Sequence, residues 1–338
     1  MSTRFSHRYV RVLLGLAAAT VVAVGAPLAV NRLSVQPGAA LAKTVFESGP
    51  AVKVGQDFLH IEQRVRKTAN VAVPVSGAKP ALLDVYRPKT EPANLPTILW
   101  VHGGGYLSGD KAQVAKYAIK LASDGFVVAS LQYSLAPDTK YPVPVAQADA
   151  ALTYLRNHAV AYGGNPDIEF VGGDSAGAQI TSQVAAIRTN PALAQDMHFP
   201  APSAVRHLAG VVLDCGLYDM NTVGASGFPA LRTLLWSYTG VRDWKRFGAI
   251  DQLSTTRQIT KNYPATYLTV GNADPFRGQS DELTRALNGE HVPHTTRFWA
   301  HHSTRLNHEY QFDFTTPEAN ANYAATLQFL QTHAQEQP

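Results

Sequence analysis

Beyond residue 50 the chain alternates between short apolar runs and stretches with helical spacing. Residues 81–86 alternate apolar and polar positions and end at Pro88. Residues 97–101 form an apolar strand candidate that runs into Gly103-Gly104-Gly105. Residues 111–123 have helical spacing and stop before Gly125, and 126–131 read as another buried strand. A helix over 145–158 ends before Gly163-Gly164, and a strand over 168–171 meets a glycine-rich turn around Ser175. Residues 178–188 continue as a helix; 208–213, 266–270 and 295–299 are strands; 280–288 and 317–332 are helices, the last opening on Pro317.

Buried apolar strands alternating with helices predict an α/β fold, a mostly parallel central sheet with helices on both faces. Residues 221–264 break the rhythm. They carry Leu231, Leu234, Leu235, Trp236, Trp244 and Phe247, and would otherwise be a very long loop, so they predict a small helical cap inserted after a strand. Trp236, Tyr238 and Trp244 are candidates to line a pocket or to pack the cap itself.

The N-terminal segment has a different character. Arg4, Arg8 and Arg11 precede an apolar run over 12–30. That order suits an export signal, and as a helix of about 1.5 Å per residue the run reaches ~28 Å, just enough to span a bilayer. Cleavage after Ala40-Leu41-Ala42 competes with an uncleaved membrane anchor. Either reading puts the remainder outside the cytoplasm, periplasmic, secreted or anchored. The organisation expected is a leader over 1–42 and one catalytic domain over 43–338.

Composition supports a packed domain, with 45% apolar and 16% charged residues. The net charge of +4 and pI near 9.0 point at first to a polyanionic partner. Residues 1–42, however, hold four arginines and no acid, so of 29 basic residues 25 remain against 25 acidic ones. No Lys/Arg run occurs elsewhere, and a nucleic-acid partner is not expected. The sole cysteine, Cys215, excludes an internal disulfide and a cysteine metal site, and reads as a buried inert thiol.

Ser175 stands in Gly173-Asp174-Ser175-Ala176-Gly177, between a strand and a helix. A nucleophile on so sharp a turn projects its hydroxyl, the glycines permit close chain approach, and the next helix aims its amides at the reacting oxygen. His102-Gly103-Gly104-Gly105 follows a strand directly, where backbone N–H groups could meet a tetrahedral oxyanion. A serine hydroxyl needs a base, and the base an orienting acid, in the order Ser, acid, His. Asp274 follows the strand 266–270 and fits the acid; Asp219 is its rival, while Asp214, Asp243, Asp251 and Asp281 fit less well. His291 and His294 fall on the wrong side of the sheet and His333 in the last helix. His301, His302 and His308 share the loop after 295–299, and position alone does not separate them. These three could also be read as a metal cluster, but no His-Glu-x-x-His helix occurs and no metal is expected.

Taken together, Asp84-Val85-Tyr86-Arg87-Pro88, His102-Gly103-Gly104-Gly105-Tyr106, Tyr133-Ser134-Leu135-Ala136-Pro137, the Ser175 pentapeptide and Asp274-Pro275 resemble the hormone-sensitive-lipase-like group of bacterial α/β-hydrolase esterases over most of residues 80–335. The resemblance implies hydrolysis of small-molecule esters without a cofactor. It implies an oxyanion hole at Gly104, Gly105 and Ala176 with Gly103 adjacent, and makes His102 a structural neighbour rather than the base. The segment Asn307-His308-Glu309-Tyr310-Gln311-Phe312 looks like the late histidine motif of related esterases and favours His308 as base. Ala178 stands where many members carry a glycine, a departure shared with neighbouring feruloyl and acetyl-ester hydrolases. A peptidase or acyltransferase on the same fold, or a non-catalytic binding protein, are the competing readings.

Overall fold

The computed structural model describes residues 34–47, 52–90, 93–201, 208–300 and 303–336. In chain order its helices are α1 (Gln36–Glu47), α2 (Phe58–Glu62), α3 (Ala115–Ser123), α4 (Val143–His158), α5 (Ala176–Ile187), α6 (Pro191–Asp196), α7 (Leu231–Thr239), α8 (Ile250–Leu253), α9 (Arg277–Gly289) and α10 (Pro317–Gln335). The strands are β1 (Val65–Val73), β2 (Ala81–Pro88), β3 (Leu95–Val101), β4 (Val127–Gln132), β5 (Gly164–Asp174), β6 (Gly210–Asp214), β7 (Thr266–Thr269) and β8 (His294–Arg297).

Among the described residues these strands form one sheet in the order β1-β2-β4-β3-β5-β6-β7-β8. β2 pairs antiparallel with β1 and β4, and every later pairing is parallel. The expected fold class is therefore the observed one. Successive side chains of β3 show why its apolar run has no polar alternation. Leu99 and Val101 join the core under α4 and α5, while Ile98 and Trp100 join the core under α3 and α10.

The chain runs from β3 outward to β4, then crosses back to β5 and continues the other way. The crevice beyond the C-terminal ends of β3 and β5 is thus the switch point of the sheet, where open α/β folds place their ligands. Both glycine-rich segments singled out in the sequence lie there.

The predicted strands appear with shifted ends; β1 has no counterpart among them. Residues 221–264 form α7, α8 and short single-turn helices at Val223–Ser226, Trp244–Arg246 and Thr255–Arg257. Helix α5 is buried along its whole length, yet carries Gln179, Thr181, Ser182 and Gln183. Thr181 donates to the Gly172 carbonyl of β5, and the other three are met by the cap. Gln179 and Gln183 donate to the Leu253 and Gln252 carbonyls, and Ser182 shares a hydrogen bond with Thr255.

Residues 1–33 lie outside the described residues, and with them the basic and apolar parts of the expected leader. The boundary after Ala42 falls inside α1. That helix packs on α7 with Ala39 and Ala42 buried, and Phe46 stacks on Phe228 at 6.2 Å. Among the described residues no helix is long and apolar enough to cross a membrane.

Candidate active site

Strand β5 ends at Asp174 and α5 begins at Ala176, leaving Ser175 in a turn with φ 52° and ψ −119°. Such a conformation is costly for a residue with a side chain, by about 1–3 kcal/mol, and is held by its surroundings. The Ser175 N–H donates to the Asp214 carbonyl at 2.8 Å. A Cβ on Gly177 would stand 2.0 Å from the Val101 carbonyl oxygen, so only glycine lets α5 start this close to β3.

His308 lies in the loop that leads from β8 to the helical turn Tyr310–Phe312. Its Nε2 is 2.9 Å from Ser175 Oγ, and its Nδ1 is 2.9 Å from Asp274 Oδ2. Asp274 is fixed in turn, because its Oδ1 accepts the Phe276 N–H at 2.8 Å. The histidine loop is tied to the acid loop by the Leu306 N–H donating to Asn272 Oδ1 at 2.8 Å and the Ala273 N–H donating to the Leu306 carbonyl at 3.0 Å. Phe228 and Phe276 meet the imidazole edge-on at 5.1 and 5.4 Å. The structure thus brings Ser175, Asp274 and His308 into one hydrogen-bonded line. His301 and His302 lie outside the described residues.

Burial opposes the charged imidazole of His308, yet its pKa lies well above the ordinary histidine value. A Cys215 thiolate and the Asp274 carboxylate both favour the cation. Burial pushes the Cys215 thiol up to about 12, so near neutrality it carries no charge and Asp274 is the effective cause.

The rival acids serve elsewhere. Asp219 accepts from Thr256 Oγ1 at 3.1 Å and faces Arg257 at 3.5 Å, holding the cap. Asp243, Asp251 and Asp281 pair with Arg246, Arg257 and Arg277. Asp214 is fully buried with no hydrogen-bond partner for either carboxyl oxygen among the described residues, and burial, with Asp174 and Glu309 nearby, drives its pKa well up. Burial thus favours its uncharged form.

One expectation for the oxyanion loop needs correcting. The Gly103 N–H is already donated to Asp174 Oδ2 at 2.7 Å, so it has no hydrogen to offer an oxyanion. Gly104, with φ 97°, turns its carbonyl to the Leu107 and Ser108 amides. Among the described residues no group accepts the Gly104 or Gly105 N–H, and the Ala176 N–H is the first of a helix. Those three amides remain available. His102 is buried, stacks on Tyr133 at 4.4 Å and contacts the Gly103 carbonyl through Nδ1 at 2.8 Å. Burial lowers its pKa to about 4, so it stays neutral.

Asp174 also accepts the Trp100 Nε1–H at 2.9 Å. Burial, then repulsion from Glu309, raise its pKa to about 8 against the stabilising Trp100 and Gly103 donors.

A cavity of about 300 Å³ opens above Ser175. Its walls include Val45, Phe46 and Glu47 of α1, Gly103–Gly105, Val114, Phe228 and Glu309. Of the aromatic cap residues proposed from sequence, none lines it. Tyr238 stacks on Tyr106 at 3.8 Å, Trp244 donates to the Met220 carbonyl at 3.0 Å, and Trp236 lies against Arg242. Phe46 and Phe228 were missed; an aromatic at the end of a helix and one in a glycine-flanked loop carry no periodic signal.

A nucleophile turn at the C-terminal end of a central strand, with an acid and a histidine on later strand-end loops, defines an α/β-hydrolase. The chain belongs to the BD-FAE family, whose model matches residues 83–287. It is 24% identical to an α/β hydrolase of Acanthamoeba polyphaga mimivirus over 266 residues, 75% of this chain and 73% of that protein. It is 31% identical to carboxylesterase NlhH of Mycobacterium tuberculosis over 148 residues, 40% of this chain. The chain spans less than half the length of that second relative, 46%. Esterase B from Lactobacillus rhamnosus superposes with a TM-score of 0.73 at 23% identity, over 92% of this chain and 96% of that one, a likeness of fold.

Proposed function

We propose that the chain hydrolyses small-molecule carboxylic esters through an acyl-enzyme on Ser175. The observation that carries this reading is the unbroken line from Ser175 Oγ through His308 to Asp274, with both links at 2.9 Å. His308 Nε2 takes the hydroxyl proton as Oγ attacks the ester carbonyl, and returns it to the leaving alcohol. Asp274 keeps the other proton on Nδ1, which leaves Nε2 free to accept. The Gly104, Gly105 and Ala176 amides receive the oxyanion, a donor set worth about 3 kcal/mol per bond in the transition state. Water, deprotonated by His308, then releases the acid. The relatives named as esterases support ester hydrolysis as the reaction.

We further propose that the catalytic domain acts outside the cytoplasm, on the strength of the basic and apolar N-terminal segment. Cell fractionation of the native protein tests this. Replacing Ser175 by Ala should reduce hydrolysis of p-nitrophenyl acetate to background while circular dichroism stays unchanged. Turnover persisting in that variant would reject the acyl-enzyme.

A further inference from the structure

Cys215 follows β6 immediately, with φ 47°, and is fully buried beside the imidazole of His308. One donor atom each of Cys215, His308 and Asp274 lies within 4.8 Å of the other two. A four-coordinate zinc-type ion, with bonds of about 2.0–2.3 Å to N, O and S, spaces its ligands by roughly 3.3–3.8 Å. Small movements of three side chains would reach that spacing.

A second observation points to a ligand. Gln311 is 1% exposed, and its Oε1 has no hydrogen-bond partner among the described residues, while its Nε2 lies 3.6 Å from Cys215 Sγ. Amide oxygen and nitrogen exchange places by a half-turn of the group. That turn would set a carbonyl oxygen 3.6 Å from the sulfur, within the ligand-to-ligand spacing of such an ion.

We propose that Cys215, His308 and Asp274, completed by the Gln311 amide, form an inhibitory site for a thiophilic divalent cation such as Zn²⁺ or Cd²⁺. One cysteine cannot build a cysteine-only metal site, but the fold adds three other donors to it. The ion enters through the cavity above Ser175, which His308 also lines. It displaces the thiol proton, which leaves to solvent, and binds thiolate and carboxylate, so the cluster carries no net charge. Nδ1 is the imidazole nitrogen that faces Asp274. Coordination there moves the imidazole proton from Nδ1 to Nε2. Nε2 then donates toward Ser175 instead of accepting, and the base is lost without displacement of the serine.

The effect on turnover rests on the acyl-enzyme reading; the binding itself does not. The test uses the full chain with metal alone. Co²⁺ should produce a thiolate-to-cobalt charge-transfer band in the near ultraviolet, retained in Ser175→Ala and absent in Cys215→Ser and Cys215→Ala. Zn²⁺ should inhibit p-nitrophenyl acetate hydrolysis reversibly to chelation. Both cysteine variants should keep basal turnover and need about tenfold more Zn²⁺, or higher still, for the same inhibition. Absence of the band in the wild-type chain, or equal Zn²⁺ sensitivity in a cysteine variant, would overturn the site. If the band forms in a chain that hydrolyses no ester, the metal site stands and the functional reading falls.

Discussion

Asp174→Asn separates the support of the oxyanion loop from the triad itself. Asp174 is 3% exposed and accepts two hydrogen bonds, from Gly103 N–H at 2.7 Å and Trp100 Nε1–H at 2.9 Å. Asparagine has nearly the same shape but only one acceptor oxygen. Whichever way its amide turns, one donor meets an NH₂ group. A buried hydrogen bond contributes about 0.5–1.5 kcal/mol, and leaving its buried donor unsatisfied costs about 1–3 kcal/mol. A loss of ~2 kcal/mol at Gly103 corresponds to roughly 30-fold in rate if it falls on the transition state. It should fall there, because Gly104 and Gly105 follow directly and the oxyanion exists only after attack. The expected result is kcat lowered by about 10- to 100-fold with KM little changed. Asp214→Asn is the control, since that buried carboxyl has no partner among the described residues to lose, and its kcat should stay near that of the wild-type chain. The measurement is kcat and KM for p-nitrophenyl acetate, with Tm recorded beside them. An Asp174→Asn variant with full kcat, or one whose whole loss appears in KM, would refute the reasoning.

Other consequences follow from the same geometry. The raised pKa of His308 places the acid limb of kcat/KM above the ordinary imidazole range, with activity lost as pH falls through it. Asp274→Asn removes the carboxylate that favours the cation and leaves burial, which disfavours it. The limb should therefore move to lower pH while kcat falls by roughly 10³- to 10⁴-fold, and a pH–rate profile of the variant checks both. Phe46→Ala opens the cavity wall between α1 and Phe228, so KM for bulky esters should rise about tenfold with kcat for acetate nearly unchanged, read from an ester series. Gly104→Ala sets a Cβ 2.3 Å from the Ser108 carbonyl oxygen at φ 97°, so both Tm and kcat should fall.

The apolar runs of β3, β4, β5 and β6 were legible because a strand covered on both faces carries few polar positions, here the buried Thr97, Ser130 and Glu169. Strand β1 was not. It sits at the sheet edge with Arg66, Lys67, Thr68, Ala69 and Asn70 all exposed, and its pairing with β2 rests on backbone bonds and on the Lys67–Asp84 ion pair at 2.6 Å, which leave no apolar pattern. Ser175 and Asp274 could be found because each follows a recognisable strand. The histidine could not be chosen by position, because its loop carries several. What singles out His308 in space is the Asn272–Leu306 tether and the turn at Glu309, with φ 60°, neither of which has a sequence period. Helix α1 was hidden for another reason. Its small residues continue the composition of residues 12–30, so the expected boundary cut through a helix that forms part of the cavity wall.

The most direct test of the central claim is the site of covalent modification by a fluorophosphonate, which is attacked by the same oxygen as an ester. Peptide mapping by mass spectrometry should place one phosphonyl group on Ser175 in the wild-type chain, with the rate of labelling sharply reduced in His308→Ala. An adduct on another residue, or labelling that proceeds at full rate without His308, would contradict the account.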